Sequence, residues 1–388
     1  MTGVRGSSAQ RVVETLRLDG PSSQAALARS TELSPATVNN IVKTLRADGV
    51  VEIEKVNGRE SLVTLVSHRG AFVAVEVNVA SARAALFDFG GRARHDAVVE
   101  FPVATEGEGG DPERVKDLIR SLAERAGFEV ARLSGVAIGM QAPIARETGA
   151  VTSWARLQFP AWNNLAIEHV FADSLGVPVV AENDANLAAL AEWTWGTGRG
   201  VAEFLYVMCS SGVGGGFVLG GEIYRGGDGL AGEIGHLVLD QNGPVCFCGS
   251  RGCLTTFASE RSILSALASS GSPKHSLRAV IEGASRGEPA CQRILYEAGR
   301  ALGRAFANTA KIMAPSMITV GGVLAEAGPL VFEGMRSSVE INSLRAASPS
   351  IQFRAAHLKT DATLIGGLAA LLTKVGQGAS TLPAWIRH

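Results

Sequence analysis

Apolar positions at the start of the chain recur at helical spacing in three short blocks. Val12, Val13 and Leu16 form the first stripe, which Gly20-Pro21 closes. Ser22 or Ser23 offers an N-cap to SQAALARS, whose Ala26 and Leu27 face inward, and the turn Thr31-Glu32-Leu33-Ser34 leads onward. Ser34 caps the third block, PATVNNIVKTLRAD, and Pro35 takes its first helical position, where a missing N–H costs nothing. Val38, Ile41, Val42 and Leu45 recur at i, i+3, i+4 and i+7, leaving Thr37, Asn39, Asn40, Lys43 and Thr44 on the outer surface; Gly49 ends the helix. The period then changes. VVEIEKV and ESLVTLV flank Asn57-Gly58, the favoured two-residue hairpin turn, so the pattern predicts a β-ribbon with Arg59 at its tip. Three helices followed by a ribbon make a winged helix-turn-helix over residues 1–70.

From Ala71 the pattern becomes that of an α/β fold. FVAVEV and ARAALFDFGG read as two strands joined by a tight turn, with a helix near Pro112–Ala126. LSGVAIGM, VPVVAENDA, FLYVMCSSGVGGGFVLGG and MITVGG each read as a buried strand that ends in or leads to Gly, Asn, Asp or Ser. Strand ends of this composition line clefts, and two such halves facing each other would hold a ligand between them.

Composition narrows the function classes. A chain of 388 residues with 46% hydrophobic and 19% charged positions is globular and long enough for two or three domains. The N-terminus has no apolar core of a signal peptide, and no stretch reaches membrane-spanning length, so a cytoplasmic protein is expected. The formal net charge is −1, and residues 1–70 carry nine Lys and Arg against seven Asp and Glu, so geometry, not bulk charge, carries the case for double-stranded DNA. On the third helix, Asn39 and Asn40 can read adenine, Thr37 can touch a thymine methyl or a phosphate, and Lys43 can neutralise phosphate, while Arg59 is placed for the minor groove. A three-helix protein-interaction module with a solvated face is the other reading of this segment.

Five cysteines are an odd count, and Cys209 and Cys291 stand alone in apolar surroundings. The other three lie with a histidine in HLVLDQNGPVCFCGSRGC. His236, Cys246, Cys248 and Cys253 give H-x9-C-x-C-x4-C, a donor set suited to one closed, structural, tetrahedral zinc per chain, with Gly249 and Gly252 letting the short loop turn. A Cys246–Cys253 disulfide or free thiols is the competing reading. Asn183 and Asp184 head the helix ANLAALAEW, where capping alone would explain them.

AENDANLAALAEW, GVGGGFVLGGEIYRGGDGLAGEIGHL, CFCGSRGC and MITVGG together resemble the signatures of the ROK family of repressors and sugar kinases, and the winged helix resembles its repressor branch. The resemblance implies a two-lobed, actin-like sugar-kinase fold over residues 71–388, with lobe one near 71–184 plus 364–388 and lobe two near 185–363. It implies that Asn183, Asp184, Glu233 and His236 bind sugar hydroxyls, and that the zinc supports that site without doing chemistry. In family kinases the aspartate matching Asp184 takes the proton of the attacking hydroxyl. The phosphate side departs from the pattern. Asp-x-Gly-Gly-Thr is replaced by Glu76-Val77-Asn78-Val79-Ala80, and Gly-Thr-Gly by Ser210-Ser211-Gly212. ATP-dependent phosphorylation is therefore expected to be absent. Two more departures, Thr255 for a glutamate and Arg156-Leu157 for Asn-Leu, put the identity of the sugar in question, and Trp162 is read as stacking on a ligand or packing between lobes. The expected protein is a DNA-binding regulator, a repressor by resemblance, acting as a homodimer or homotetramer and controlled by a sugar-type effector. A sugar kinase with an appended DNA-binding domain and an effector-independent repressor are the alternatives.

Overall fold

A computed structural model describes residues 8–47, 50–57, 60–65, 71–88, 94–100, 110–152, 155, 158–343 and 351–378. Helices α1 (Ser8–Asp19), α2 (Gln24–Thr31) and α3 (Pro35–Ala47) enclose Val12, Leu16, Leu27, Val38, Val42 and Leu45, all fully buried. Ser23 is the residue that caps α2, accepting from Ala26 N at 3.2 Å, and Ser34 Oγ accepts from Thr37 N at 3.1 Å at the head of α3. Glu32 turns into the left-handed region (φ 54°) to end α2.

Strands β1 (Val51–Asn57) and β2 (Glu60–Leu65) form the antiparallel ribbon. The turn differs from the expected one. Asn57 pairs with Glu60, and a register shift between Lys55 and Asn57 absorbs one residue, so Asn57 belongs to the end of β1 and not to the two-residue turn that the sequence predicts at Asn57-Gly58. Arg59 lies outside the described residues. Ser22 exchanges two backbone hydrogen bonds with Val63 (3.1 and 2.9 Å), attaching the ribbon to the segment before α2.

Two five-stranded sheets of the same design follow. The first contains β3 (Ala71–Val77), β4 (Ser81–Asp88), β5 (Arg94–Glu100), β6 (Gly135–Met140) and β7 (Val179–Asn183) in the order β5-β4-β3-β6-β7. The second contains β8 (Glu203–Cys209), β9 (Val213–Leu219), β10 (Glu222–Tyr224), β11 (Met317–Gly321) and β12 (Gln352–Ala355) in the order β10-β9-β8-β11-β12. In each, three strands run as an antiparallel meander and two are added in parallel. FLYVMCSSGVGGGFVLGG, read above as one buried strand, is the hairpin β8–β9, closed by Ser210 N donating to Gly212 O at 2.9 Å. Its glycines left no alternation by which the fold-back could be seen.

Helices α4 (Pro112–Arg125) and α5 (Ile167–Leu175) cover the first sheet. The hydrophobic core of the second gathers residues from α7 (Thr255–Ala258), α8 (Glu260–Ser269), α9 (Leu277–Ser285), α10 (Pro289–Met313) and α11 (Pro329–Asn342). Between the sheets runs α6 (Asp184–Trp195), packed on β8 and β9 and on α12 (Ala362–Gly378), which returns from β12 to lie on β3 and β6. α6 carries four alanines, Ala185, Ala188, Ala189 and Ala191, all buried where it is covered on both sides. Gly216 of β9 approaches it so closely that a Cβ there would stand 2.6 Å from Ala185 O. Trp162 corrects its expected roles. It is fully buried within the first core, stacks on Phe171 (5.6 Å between centroids) and donates to Gly110 O, so it neither faces a ligand nor packs between lobes. Among the described residues, no helix is long and apolar enough to cross a membrane.

Candidate functional site

The turn Glu233–His236 is clamped onto β9. Cβ atoms at Gly232 and Gly235 would lie 2.2 Å from Gly215 O and 2.0 Å from Val213 O, so only glycine permits the approach. Downstream, Leu239 N donates to Gly252 O (2.8 Å) and Leu254 N to Leu237 O (2.9 Å), folding residues 240–252 back over His236. Gly252 (φ 59°) passes so close to Asp240 O that no side chain fits.

This fold-back brings one donor atom each of His236, Cys246, Cys248 and Cys253 within 4.8 Å of one another, a cluster able to bind a metal ion. Two edges of the cluster have the size zinc requires. Cys248 Sγ and Cys253 Sγ are 3.7 Å apart and Cys246 Sγ lies 3.6 Å from His236 Nδ1, against roughly 3.5–3.8 Å for a tetrahedron with bonds of 2.0–2.3 Å. All five cysteines are free, and Cys246 and Cys253 are not joined as a disulfide. The edge of Phe247 packs against the imidazole (5.0 Å between centroids). With Nδ1 turned to the sulfurs, Nε2 points the other way, 3.9 Å from Glu233 Oε2. Burial pushes the Glu233 carboxyl up to about 7.

Asn183 and Asp184 mark the junction of β7 and α6. Asn183 caps the helix, its Oδ1 accepting from Asn186 N at 3.1 Å, while Asp184 Oδ1 accepts from Ala185 N at 2.7 Å. Asp184 is 6% exposed. Burial, then the negative charge of Glu76 and, more weakly, of Glu233, holds its proton well above the usual carboxylate range. Asp184 and Glu233, from the two halves of the fold, thus share one electrostatic environment. Capping accounts for Asn183 but not for the nearly buried carboxyl group of Asp184 beside it. Thr255 is buried in the first turn of α7, whereas Arg156 and Leu157 lie outside the described residues.

The place expected to cradle phosphate is crossed by internal contacts. Asn78 Oδ1 accepts from Ala80 N (3.0 Å) and Ser81 N (2.8 Å), stitching the β3–β4 turn closed. Glu76 pairs across the strands with Arg83, which also donates to Thr360 O and to Asp361 Oδ1 (3.3 Å) ahead of α12. What remains is a cavity of about 210 Å³ whose lining includes Glu76, Arg83, Ser210, Gly322, Lys359 and Thr363. The sequence offered no signal for Arg83 and Asp361, which stand 278 positions apart. Nor did it single out Glu182 and Arg225, which form an ion pair beside Asn183 (2.5 Å), although both fall inside the quoted motifs.

On α3, Asn40, Lys43 and Thr44 are exposed, while Thr37 and Asn39 are half-buried. The Thr37 hydroxyl is within 2.8 Å of Ser34 Oγ, so the outer face centres on Asn40 and Lys43 and is narrower than the periodicity suggests.

The chain was compared with known proteins. Residues 8–52 match a winged helix-turn-helix DNA-binding model. A xylose repressor of Caldicellulosiruptor bescii is 26% identical over 374 residues, covering 90% of this chain and 92% of that protein. A glucokinase of Thermotoga maritima is 32% identical over 279 residues, covering 67% of this chain and 87% of the enzyme. Among solved structures, a ROK family transcriptional regulator, a homologue of the E. coli MLC protein, aligns with a TM-score of 0.70 at 26% identity over 95% of this chain and 98% of its own. Residues 72–374, which hold both sheets, the His-Cys cluster and the β7–α6 junction, match the ROK family model, and on that span the chain belongs to the ROK family.

Proposed function

We propose that this protein is a DNA-binding transcriptional repressor whose two-lobed domain binds a sugar, with no phosphoryl transfer. Lobe one comprises 71–184 with 364–388, and lobe two comprises 185–363. The observation that carries the reading is the asymmetry of the cleft. Asp184, Asn183, Glu233 and His236 keep hydrogen-bonding capacity for hydroxyl groups, while Glu76, Arg83 and Asp361 fill the phosphate side with an internal ion-pair network. A phosphate group there would meet the Glu76 carboxylate and a stitched turn in place of free backbone N–H groups.

Zinc suits the donor set of His236, Cys246, Cys248 and Cys253; it would fix the imidazole so that Nε2 and Glu233 face the ligand. Lobe closure about the sugar sets the spacing of two winged helices in a dimer, and Thr37, Asn39, Asn40 and Lys43, with Arg59 on the wing, contact the operator. Xylose repressors are similar over most of the chain and glucokinases over about two thirds or less of it, so D-xylose and D-glucose are the first effectors to try.

Zinc-loaded protein should show a thermal shift with one of these sugars, lose operator affinity in its presence, and transfer no label from ATP to any hexose or pentose. Phosphorylated sugar would make it a kinase with a DNA-binding domain, the reading that the glucokinase similarity favours. Operator binding indifferent to every sugar would leave a repressor without an effector.

A further inference from the structure

Glu182 and Arg225 stand beside both halves of the cleft without belonging to either set of assigned residues. Glu182, at the end of β7, has a side chain only 7% exposed. One carboxylate oxygen accepts from Asn183 N (2.9 Å) and Asn186 Nδ2 (3.0 Å), and the other from Arg225 Nε (2.5 Å). Arg225 follows β10 in the second sheet, and its carbonyl accepts from Ala231 N at 3.1 Å, closing the loop that delivers Gly232 and Glu233. Within that loop Gly229 lies against the first half of the molecule, where a Cβ would stand 2.1 Å from Ile144 O. The loop is therefore fixed at one end to β9 and at the other to the strand that carries Asn183.

Parting the two sheets would separate the Glu182 carboxylate from Arg225 and give up a close, charge-assisted hydrogen bond that is screened from water only while the two sheets are together. The pair consequently favours the arrangement in which Asn183 and Asp184 face Glu233 and His236. We infer that Glu182 and Arg225 are positioning residues that couple effector binding to lobe closure: a ligand bridging the cleft and the ion pair stabilise the same lobe angle, each strengthening the other. This rests on reading the cleft as the effector site.

The test uses full-length, zinc-loaded protein and the variants Arg225→Gln, Arg225→Lys and Glu182→Gln. Without sugar, hydrogen exchange should quicken in both 183–186 and 225–236 in Arg225→Gln, leave α1–α3 unchanged, and return toward wild type in Arg225→Lys, which restores the charge. With D-xylose or D-glucose, whichever the wild type binds, affinity should weaken about five-fold or more and half-maximal operator release should move by at least that factor. Glu182→Gln should reproduce both effects if Arg225→Gln fails to fold. Exchange that quickens only within 225–231, or unchanged sugar affinity with unchanged operator release, overturns the inference. A wild type whose operator binding no sugar changes overturns the effector reading, and with it the coupling, while the exchange result still tests the ion pair's hold on the lobe angle. The two failures are distinguishable because the exchange experiment needs no ligand.

Discussion

Replacing Asp184 by asparagine should stabilise the unliganded protein at neutral pH and abolish its response to the effector. The carboxyl is nearly buried, faces the negative charges of Glu76 and Glu233, and has no ion-pair partner among the described residues. Asparagine keeps the shape and an acceptor for the Ala185 N–H. An ionised group in such a place costs about 2 kcal/mol. The N-terminus of α6 favours negative charge by about 0.5–1 kcal/mol, too little to reverse the sign. The net gain for Asp184→Asn, about 1–1.5 kcal/mol, corresponds to a Tm rise of roughly 1–3 °C in a domain of this size.

The pH dependence follows from linkage. The native state holds the Asp184 proton more tightly than the unfolded chain does, so wild-type stability is greatest below the ordinary carboxylate value. It falls as pH rises through the raised value and stays low above it. The advantage of Asp184→Asn should therefore be largest near pH 8.5 and shrink as the pH falls through the raised value and Asp184 becomes neutral. Calorimetry of zinc-loaded protein across pH 5–8.5, with and without sugar, measures both arms. A variant that melts below wild type at pH 8.5, or a Tm gap that does not change with pH, would refute the reasoning.

Other outcomes follow from the same structure. Metal analysis of freshly purified protein should give one zinc per chain; Cys253→Ser should lose it, with a lower Tm and no sugar response, because the fully buried Cys253 anchors the fold-back over His236. Asn40→Ala should relax base preference by about 1–3 kcal/mol at one operator position, whereas Lys43→Ala should weaken binding to every sequence and lower the salt dependence by about one charge, both measurable by titration at several salt concentrations. Gly216→Ala should destabilise by about 1–3 kcal/mol in denaturant unfolding and weaken sugar binding, since its Cβ would push on Ala185 O and on the Ala189 methyl (2.7 Å) and so move the head of α6.

Much of the winged helix could be read directly because its signals are local. Ser23 and Ser34 cap within three residues, and one apolar stripe per helix meets a single small core. The His-Cys cluster was legible for a similar reason: eighteen residues hold all four donors, and convergence needs only a tight fold-back. Asn57 was read as a turn residue and not as the end of β1 because a register shift leaves no mark on the alternation of that strand. α6 carried little pattern at all. A helix covered by a sheet on one side and α12 on the other has no polar face to set against an apolar one, and such a sequence does not show that Asp184 and Glu192 are buried along it.

What stayed hidden were the contacts that join distant parts of the chain, and these distinguish the two sides of the cleft. Glu192 accepts from Leu358 N (2.6 Å) through one carboxylate oxygen and from Thr197 N (2.9 Å) through the other, while Arg83 holds the next turn at Thr360 and Asp361. The segment entering α12 is thereby tied to α6 and to the first sheet at once. Each tie is a buried or half-buried charge satisfied by its neighbours, so opening this region for a nucleotide would mean breaking several together and leaving Glu76 to face phosphate. Around Asp184 and Glu233 the balance is the opposite. There the nearly buried Asp184 and the half-buried Glu233 have no Lys or Arg partner among the described residues, and hydroxyl groups arriving from a sugar would add hydrogen bonds to both.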